Sequence, residues 1–154
     1  KFCDRPFKDV HHMTEMLISN WNEKVQQSQT VFHLGDFAFK DDRAVQQILN
    51  RLNGNIVLIR GNHDSNQAVR HFKEVNDLAE VTVEGQLIIM CHYAMKVWHN
   101  SFRGSWHIHG HSHGTLPPDW DRKITDVGVD SWEYYPVSFH RLSTEMEQHG
   151  GEKL

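Results

Sequence analysis

The segment Asn55-Ile56-Val57-Leu58-Ile59-Arg60 is an almost unbroken apolar, β-branched run, and it passes without a spacer into Gly61-Asn62-His63-Asp64. A run of this kind fits a strand covered on both faces, which calls for helices packed on a sheet. Its polar turn then falls at the C-terminal end of the strand, where α/β folds gather functional side chains. The pattern recurs along the chain. Thr30 to Leu34 stops at Gly35-Asp36, Leu87 to Met90 closes on Cys91-His92, and Trp106-His107-Ile108-His109 ends in Gly110-His111-Ser112-His113-Gly114.

Between these strands the periodicity changes. Val10, Met13, Leu17, Trp21 and Val25 recur at helical spacing behind Asp9, a good N-cap, which predicts an amphipathic helix from Asp9 to about Gln26. Asp42 to Leu52 predicts a second helix, with Ala44, Ile48, Leu49 and Leu52 facing inward and Asn53-Gly54 as the turn after it. A short helix is expected through Val69 and Phe72. Val81-Thr82-Val83 and Leu87 to Met90 flank Glu84-Gly85-Gln86 as a hairpin. Ile124 to Val129 and Tyr135 to Leu142 read as two further strands, followed by a polar tail after Ser143.

At 154 residues and 38% hydrophobic content, one domain spanning residues 1–154 can bury a core without disulfide staples. A net charge of −4 supplies no basic field for nucleic acid, so no dedicated nucleic-acid-binding surface is expected. No stretch approaches the roughly 18 apolar residues of a membrane span, and the expected location is the cytoplasm. Cys3 and Cys91 are too few for a disulfide framework, and Cys91 reads as a small buried hydrophobe.

Thirteen histidines are the one anomaly of composition. Asp36, Asn62, His92, His111 and His113 together offer oxygen and nitrogen ligands without thiolate, a set suited to manganese, iron, zinc or nickel. Taken singly, Asp36 reads equally as a turn or cap residue, Asn62 or Asp64 as a helix cap, and His92 as a core histidine. His107 and His109 share one strand face and read as packing or sheet-bonding residues. Arg5, Arg60 and Arg103 are candidates for phosphate contact.

The ordered set Gly35-Asp36, Gly61-Asn62-His63-Asp64, His92 and Gly110-His111-Ser112-His113 resembles the calcineurin-like metallophosphoesterase superfamily, particularly its small single-domain bacterial and phage members. Arg5-Pro6-Phe7, Asn20-Trp21-Asn22 and Asp126-Val127-Gly128-Val129-Asp130 extend the likeness. The resemblance implies an α/β fold, a sandwich of two mixed β-sheets flanked by helices. It implies that Asp36 bridges two divalent metals, that Asn62, His92 and His111 complete the second metal's site, and that His113 binds the first. It gives His63 a role at the leaving oxygen, with Asp64 orienting its imidazole, in hydrolysis of a phosphomonoester or phosphodiester by a metal-activated water.

The same resemblance calls for an Asp-x-His at the end of a first strand. Asp9-Val10-His11 is the one triplet before Asp36, but it opens the first helix, where Asp9 is an N-cap and His11 faces solvent. The chain is therefore expected to be N-terminally truncated, with its first strand missing, at least one of the two metals retained, and hydrolysis weakened or absent. The sheet edge so exposed would invite oligomerisation. A catalytically impaired metal-binding or interaction module on the same scaffold is the alternative expectation.

Overall fold

In the computed structural model, residues 5–38 and 42–149 are described; Cys3 lies outside them. The chain opens with α1 (Val10–Lys24), in which Asp9 caps the first turn by accepting the His12 backbone N–H at 2.7 Å, while His11 is exposed. The strand β1 (Thr30–His33) leads through Gly35-Asp36 towards α2 (Asp42–Leu49), and β2 (Asn55–Ile59) follows. Val45, rather than the neighbours expected to face inward, is the fully buried residue of α2, at 1% exposure. Leu52 lies beyond the helix, whose end is a tightened turn from Asn50 to Leu52 closed by Gly54 at φ 92°.

After β2, the expected helix shrinks to a single 3-10 turn, Ala68–His71. Next come β3 (Glu74–Asn76), β4 (Leu78–Val83) and β5 (Gln86–Cys91), the last two paired antiparallel around Glu84-Gly85. The remaining elements are β6 (Trp106–His109), β7 (Ile124–Asp126), a 3-10 turn at Val129–Ser131 and α3 (Phe139–His149).

The strands form two sheets. One is β1-β2-β3, parallel throughout; the other is β4-β5-β6-β7, in which β5-β6 and β6-β7 are also parallel. The parallel pairings of β5-β6 and β6-β7 are possible because the segments 92–105 and 110–123 are long enough to carry the chain back across the sheet. Tyr135 to Leu142 is not a strand, and the residues after Ser143 are no polar tail up to His149. Leu142 and Met146 lie four apart and are 3% and 1% exposed, so α3 supplies a helical apolar stripe where a period of two had been read.

The stripe closes one core cluster with Leu34, Ile59, Ile88, Met90 and Trp106; Val45, Leu58, Ala68 and Phe72 form a second. Leu58 and Ile59, both without exposed surface, each contribute about 2 kcal/mol by burial. Since Leu58 belongs to one cluster and Ile59 to the other, β2 is covered on both faces, as its apolar run required.

His33, at the end of β1, stacks on Trp21 and meets Phe37 edge-on. The residue keeps some surface, yet its Nδ1 is enclosed and has no hydrogen-bond partner among the described residues. Burial pushes its imidazole down to about 4, against the opposing pull of the Asp64 and Asp36 carboxylates. Because the folded value lies below the unfolded one of about 6.5, the neutral ring stabilises the fold above that pH, and the contribution is lost as pH falls towards 4. Denaturant unfolding at pH 7 and pH 4 should register a loss on the order of 2 kcal/mol from this ring, discounted for its residual solvent contact. His33→Phe should flatten that part of the pH dependence; an unchanged slope would acquit His33.

Candidate metal centre

Four loops leave the C-terminal ends of β1, β2, β5 and β6 on the same side of the sandwich. They bring Asp36, Asn62, His92 and His111 together. The ligand atoms offered by Asp36, His92 and His111 all lie within 4.8 Å of one another. His92 Nε2 sits at the middle, 3.1 Å from Asn62 Oδ1, 3.2 Å from His111 Nδ1 and 3.5 Å from Asp36 Oδ2.

The protonation of His92 follows from its other nitrogen. Nδ1 is 2.6 Å from the Leu34 carbonyl, which can only accept, so a neutral ring carries its proton there and offers a lone pair on Nε2. Asn62 Oδ1 and Asp36 Oδ2 are acceptors as well. Three groups with only lone pairs to offer are therefore crowded at 3.1 to 3.5 Å around a ring that is 1% exposed. Such an arrangement is repulsive unless positive charge lies among the groups, and a divalent cation fits that donor set.

Glycine makes the approach of the loops feasible. A Cβ built on Gly35, whose φ is 90°, would stand 2.5 Å from both the Gly61 nitrogen and His92 Nδ1; one built on Gly61 would overlap Asp36. Asp36, His111 and His113 themselves adopt φ of 56°, 65° and 48°, a left-handed conformation that non-glycine residues seldom take outside turns and functional sites.

Two buried carboxylates hold these loops. Asp64 Oδ2 accepts the N–H groups of Asp36 and Gly61, each at 2.8 Å, and Oδ1 accepts that of Phe37 at 2.9 Å. This carboxylate thus binds backbone to backbone and ties the Asp36 loop to the Asn62 loop. His63 is exposed, and its backbone N–H donates to Asp36 Oδ1 at 2.8 Å. Arg60 braces the same turn through the Asp64 carbonyl and Asn66 Oδ1.

Asp126 performs the corresponding service for the His111 loop. Its Oδ2 accepts from Ser112 Oγ at 2.7 Å and from the Gly114 N–H at 3.0 Å, while Oδ1 accepts the Gly128 N–H at 2.7 Å. Sequence reasoning noted the Asp126 to Asp130 string but gave Asp126 no role. The signal available was a carboxylate placed at the end of a strand, next to a loop rich in backbone donors.

His113 is not in the converging group. Its Nδ1 lies 2.8 Å from Asp130 Oδ2, and Arg5 takes the same carboxylate with Nε and Nη2, each at 2.7 Å. Burial would raise the Asp130 carboxyl, but the hydrogen bonds from Arg5 and His113 outweigh it and hold the group below the ordinary carboxylate range. His107 is fully buried: its Nε2 accepts the Met95 N–H at 3.0 Å, so Nδ1 donates to the Ile89 carbonyl. His109 Nδ1 meets the Gly110 carbonyl at 2.9 Å. These two rings serve the sheet and its loops. Arg103 is exposed.

The fold and this cluster meet in one lineage: the chain belongs to the calcineurin-like phosphoesterase superfamily, whose domain matches residues 7–126. It is a superfamily of metal-dependent phosphoester hydrolases. An uncharacterized protein of Methanocaldococcus jannaschii is 34% identical over 155 aligned residues, covering 96% of this chain and 83% of that protein. The fold is shared with a protein of unknown function from Aquifex aeolicus, at TM-score 0.71 and 22% identity over 89% of this chain and 87% of the other. It is shared also with a structure described as a novel archaeal phosphodiesterase, at TM-score 0.52 and 20% identity over 78% of each chain. Among the described residues, no helix is long and apolar enough to cross a membrane.

Proposed function

We propose that this chain hydrolyses a phosphomonoester or phosphodiester at a centre held by Asp36, Asn62, His92 and His111. The observation that carries the reading is the crowding of lone pairs around His92 Nε2, with the ring's proton committed to Leu34. A divalent cation bound there supplies Lewis-acid chemistry, acidifying a water and neutralising charge on the phosphoryl oxygens.

The chain's own residues do the rest. Asp36 contributes the one carboxylate of the cluster and, through Oδ1, holds the turn that carries His63. His63 stands on that exposed turn, where its imidazole protonates the departing oxygen. The second reading, a metal-binding module with impaired turnover, is favoured by one observation: His113 lies outside the converging group and is engaged with Asp130.

The two are separated by assaying chelator-treated, manganese-reloaded protein on p-nitrophenyl phosphate and on bis-p-nitrophenyl phosphate. Turnover of either ester should return with manganese, and His63→Ala should lower it about 100-fold or more with metal content unchanged. Bound metal without cleavage of either ester would favour the impaired module.

A further inference from the structure

Tyr93 stands at the edge of the converging group without belonging to it. Its ring meets the His92 imidazole edge-on, with 4.9 Å between centroids and 76° between planes, and the His111 imidazole likewise at 4.8 Å and 65°. Among the described residues, no other tyrosine, phenylalanine or tryptophan ring contacts either imidazole. Yet Tyr93 is 46% exposed, whereas His92 is 1% exposed.

Packing, not a bond to the hydroxyl, sets the place of this ring, because the hydroxyl makes no hydrogen bond among the described residues. The backbone on either side is tied down. The His92 carbonyl accepts the Gly110 N–H at 3.1 Å, and the Met95 N–H is taken by Nε2 of the buried His107 at 3.0 Å. His107 is itself covered by Trp98, at 5.2 Å between ring centroids. A tyrosine has two side-chain torsions to fix, so a ring presented from an anchored backbone loses little entropy when a ligand covers it. Single exposed apolar residues are ordinary on a protein surface. One that packs on two members of a candidate metal centre and leaves nearly half its surface in water is placed to touch what the centre binds.

The side on which the ring lies decides which part of an ester it can meet. Asp36 and Asn62 reach the centre from the β1-β2-β3 sheet, and His63 follows Asn62 on the turn held by Asp36 Oδ1. His92 and His111 reach it from the β4-β5-β6-β7 sheet, and Tyr93 packs on both. His63 and Tyr93 therefore flank the centre from different sheets. With the departing oxygen beside His63, the group that meets Tyr93 is the one that stays on phosphorus, and only a diester has such a group.

We propose that Tyr93 is a specificity-determining residue whose ring receives a planar aromatic group on the uncleaved ester oxygen, so that the substrate class is an aryl or nucleoside phosphodiester. The direction of cleavage rests on the hydrolase reading of this site, whereas the contact between Tyr93 and the aromatic group does not.

Three esters with the same leaving group test the inference on manganese-reloaded protein: p-nitrophenyl phosphate, methyl p-nitrophenyl phosphate and bis-p-nitrophenyl phosphate. The native chain should show its highest kcat/KM on the bis ester. Tyr93→Ala should lower the ratio of kcat/KM for the bis ester over the methyl ester about 10-fold, through KM and with manganese content unchanged, while Tyr93→Phe should keep that ratio. Calorimetric titration with diphenyl phosphate and dimethyl phosphate makes the same comparison without turnover: diphenyl phosphate should bind more tightly, and Tyr93→Ala should remove about 10-fold of the preference. A native preference for the monoester, a ratio that survives Tyr93→Ala, or equal binding of the two phosphates would each overturn the inference. Tyr93→Leu, which keeps apolar bulk against the imidazoles and should lower the ratio in the same direction, decides the matter if Tyr93→Ala does not fold. Tyr93-dependent binding of diphenyl phosphate with no ester cleaved would sink the hydrolase reading and leave the ring contact standing; cleavage with an unchanged ratio would do the reverse.

Discussion

Asp36→Ala, chelated and then reloaded with manganese, should turn over phosphoester roughly a thousandfold more slowly than the native chain, a barrier rise of about 4 kcal/mol. The reason lies in what one side chain does at once. Asp36 is the sole carboxylate among the converging groups, so its loss removes the anionic partner that offsets cation desolvation and leaves Asn62, His92 and His111 as neutral donors. Its Oδ1 also holds the backbone N–H of His63, so the residue assigned to the leaving oxygen is released as well. Asp36→Asn retains an acceptor for that N–H and should lose less rate than the alanine variant. Metal content by elemental analysis, read beside kcat on both esters, is the check; native rate and stoichiometry in Asp36→Ala would remove Asp36 from the centre.

Asp64→Ala should cost about 4 kcal/mol of stability in the metal-free protein. The carboxylate is 3% exposed and receives three backbone N–H groups, those of Asp36, Phe37 and Gly61. Each orphaned buried donor costs about 1 to 3 kcal/mol, and alanine supplies no acceptor for any of them. Urea unfolding under chelation isolates this term from any effect of bound cation. A loss below about 1 kcal/mol would mean that water enters and satisfies the donors, and that the loop clamp is dispensable.

Much of this architecture was legible because local chemistry and long-range placement agreed. Apolar runs ending in Gly-Asp, Gly-Asn-His-Asp and Gly-His-Ser-His marked strand ends, and those ends do gather Asp36, Asn62, His92 and His111. Asp9 was readable as a cap for the same reason, since its bond to His12 spans a single turn. Other features depended on distant partners. Tyr135 to Leu142 carries enough aromatic and β-branched residues to imitate a strand, and only packing of Leu142 and Met146 against Trp106 and Ile88 makes it run into a helix. The use of Asp64 on backbone donors 27 and 28 residues away has no local sign. Nor has the Arg5–Asp130 contact, whose partners are 125 residues apart. The proton of His92 is placed by a carbonyl 58 residues away, a partner that carries no side-chain signature.

The four converging groups are contributed evenly by the two sheets: Asp36 and Asn62 follow strands of one, His92 and His111 follow strands of the other. A cation held among them would be a rivet through the sandwich. Its binding free energy would then appear as cohesion between the layers, and the apparent melting temperature would become a function of free metal concentration.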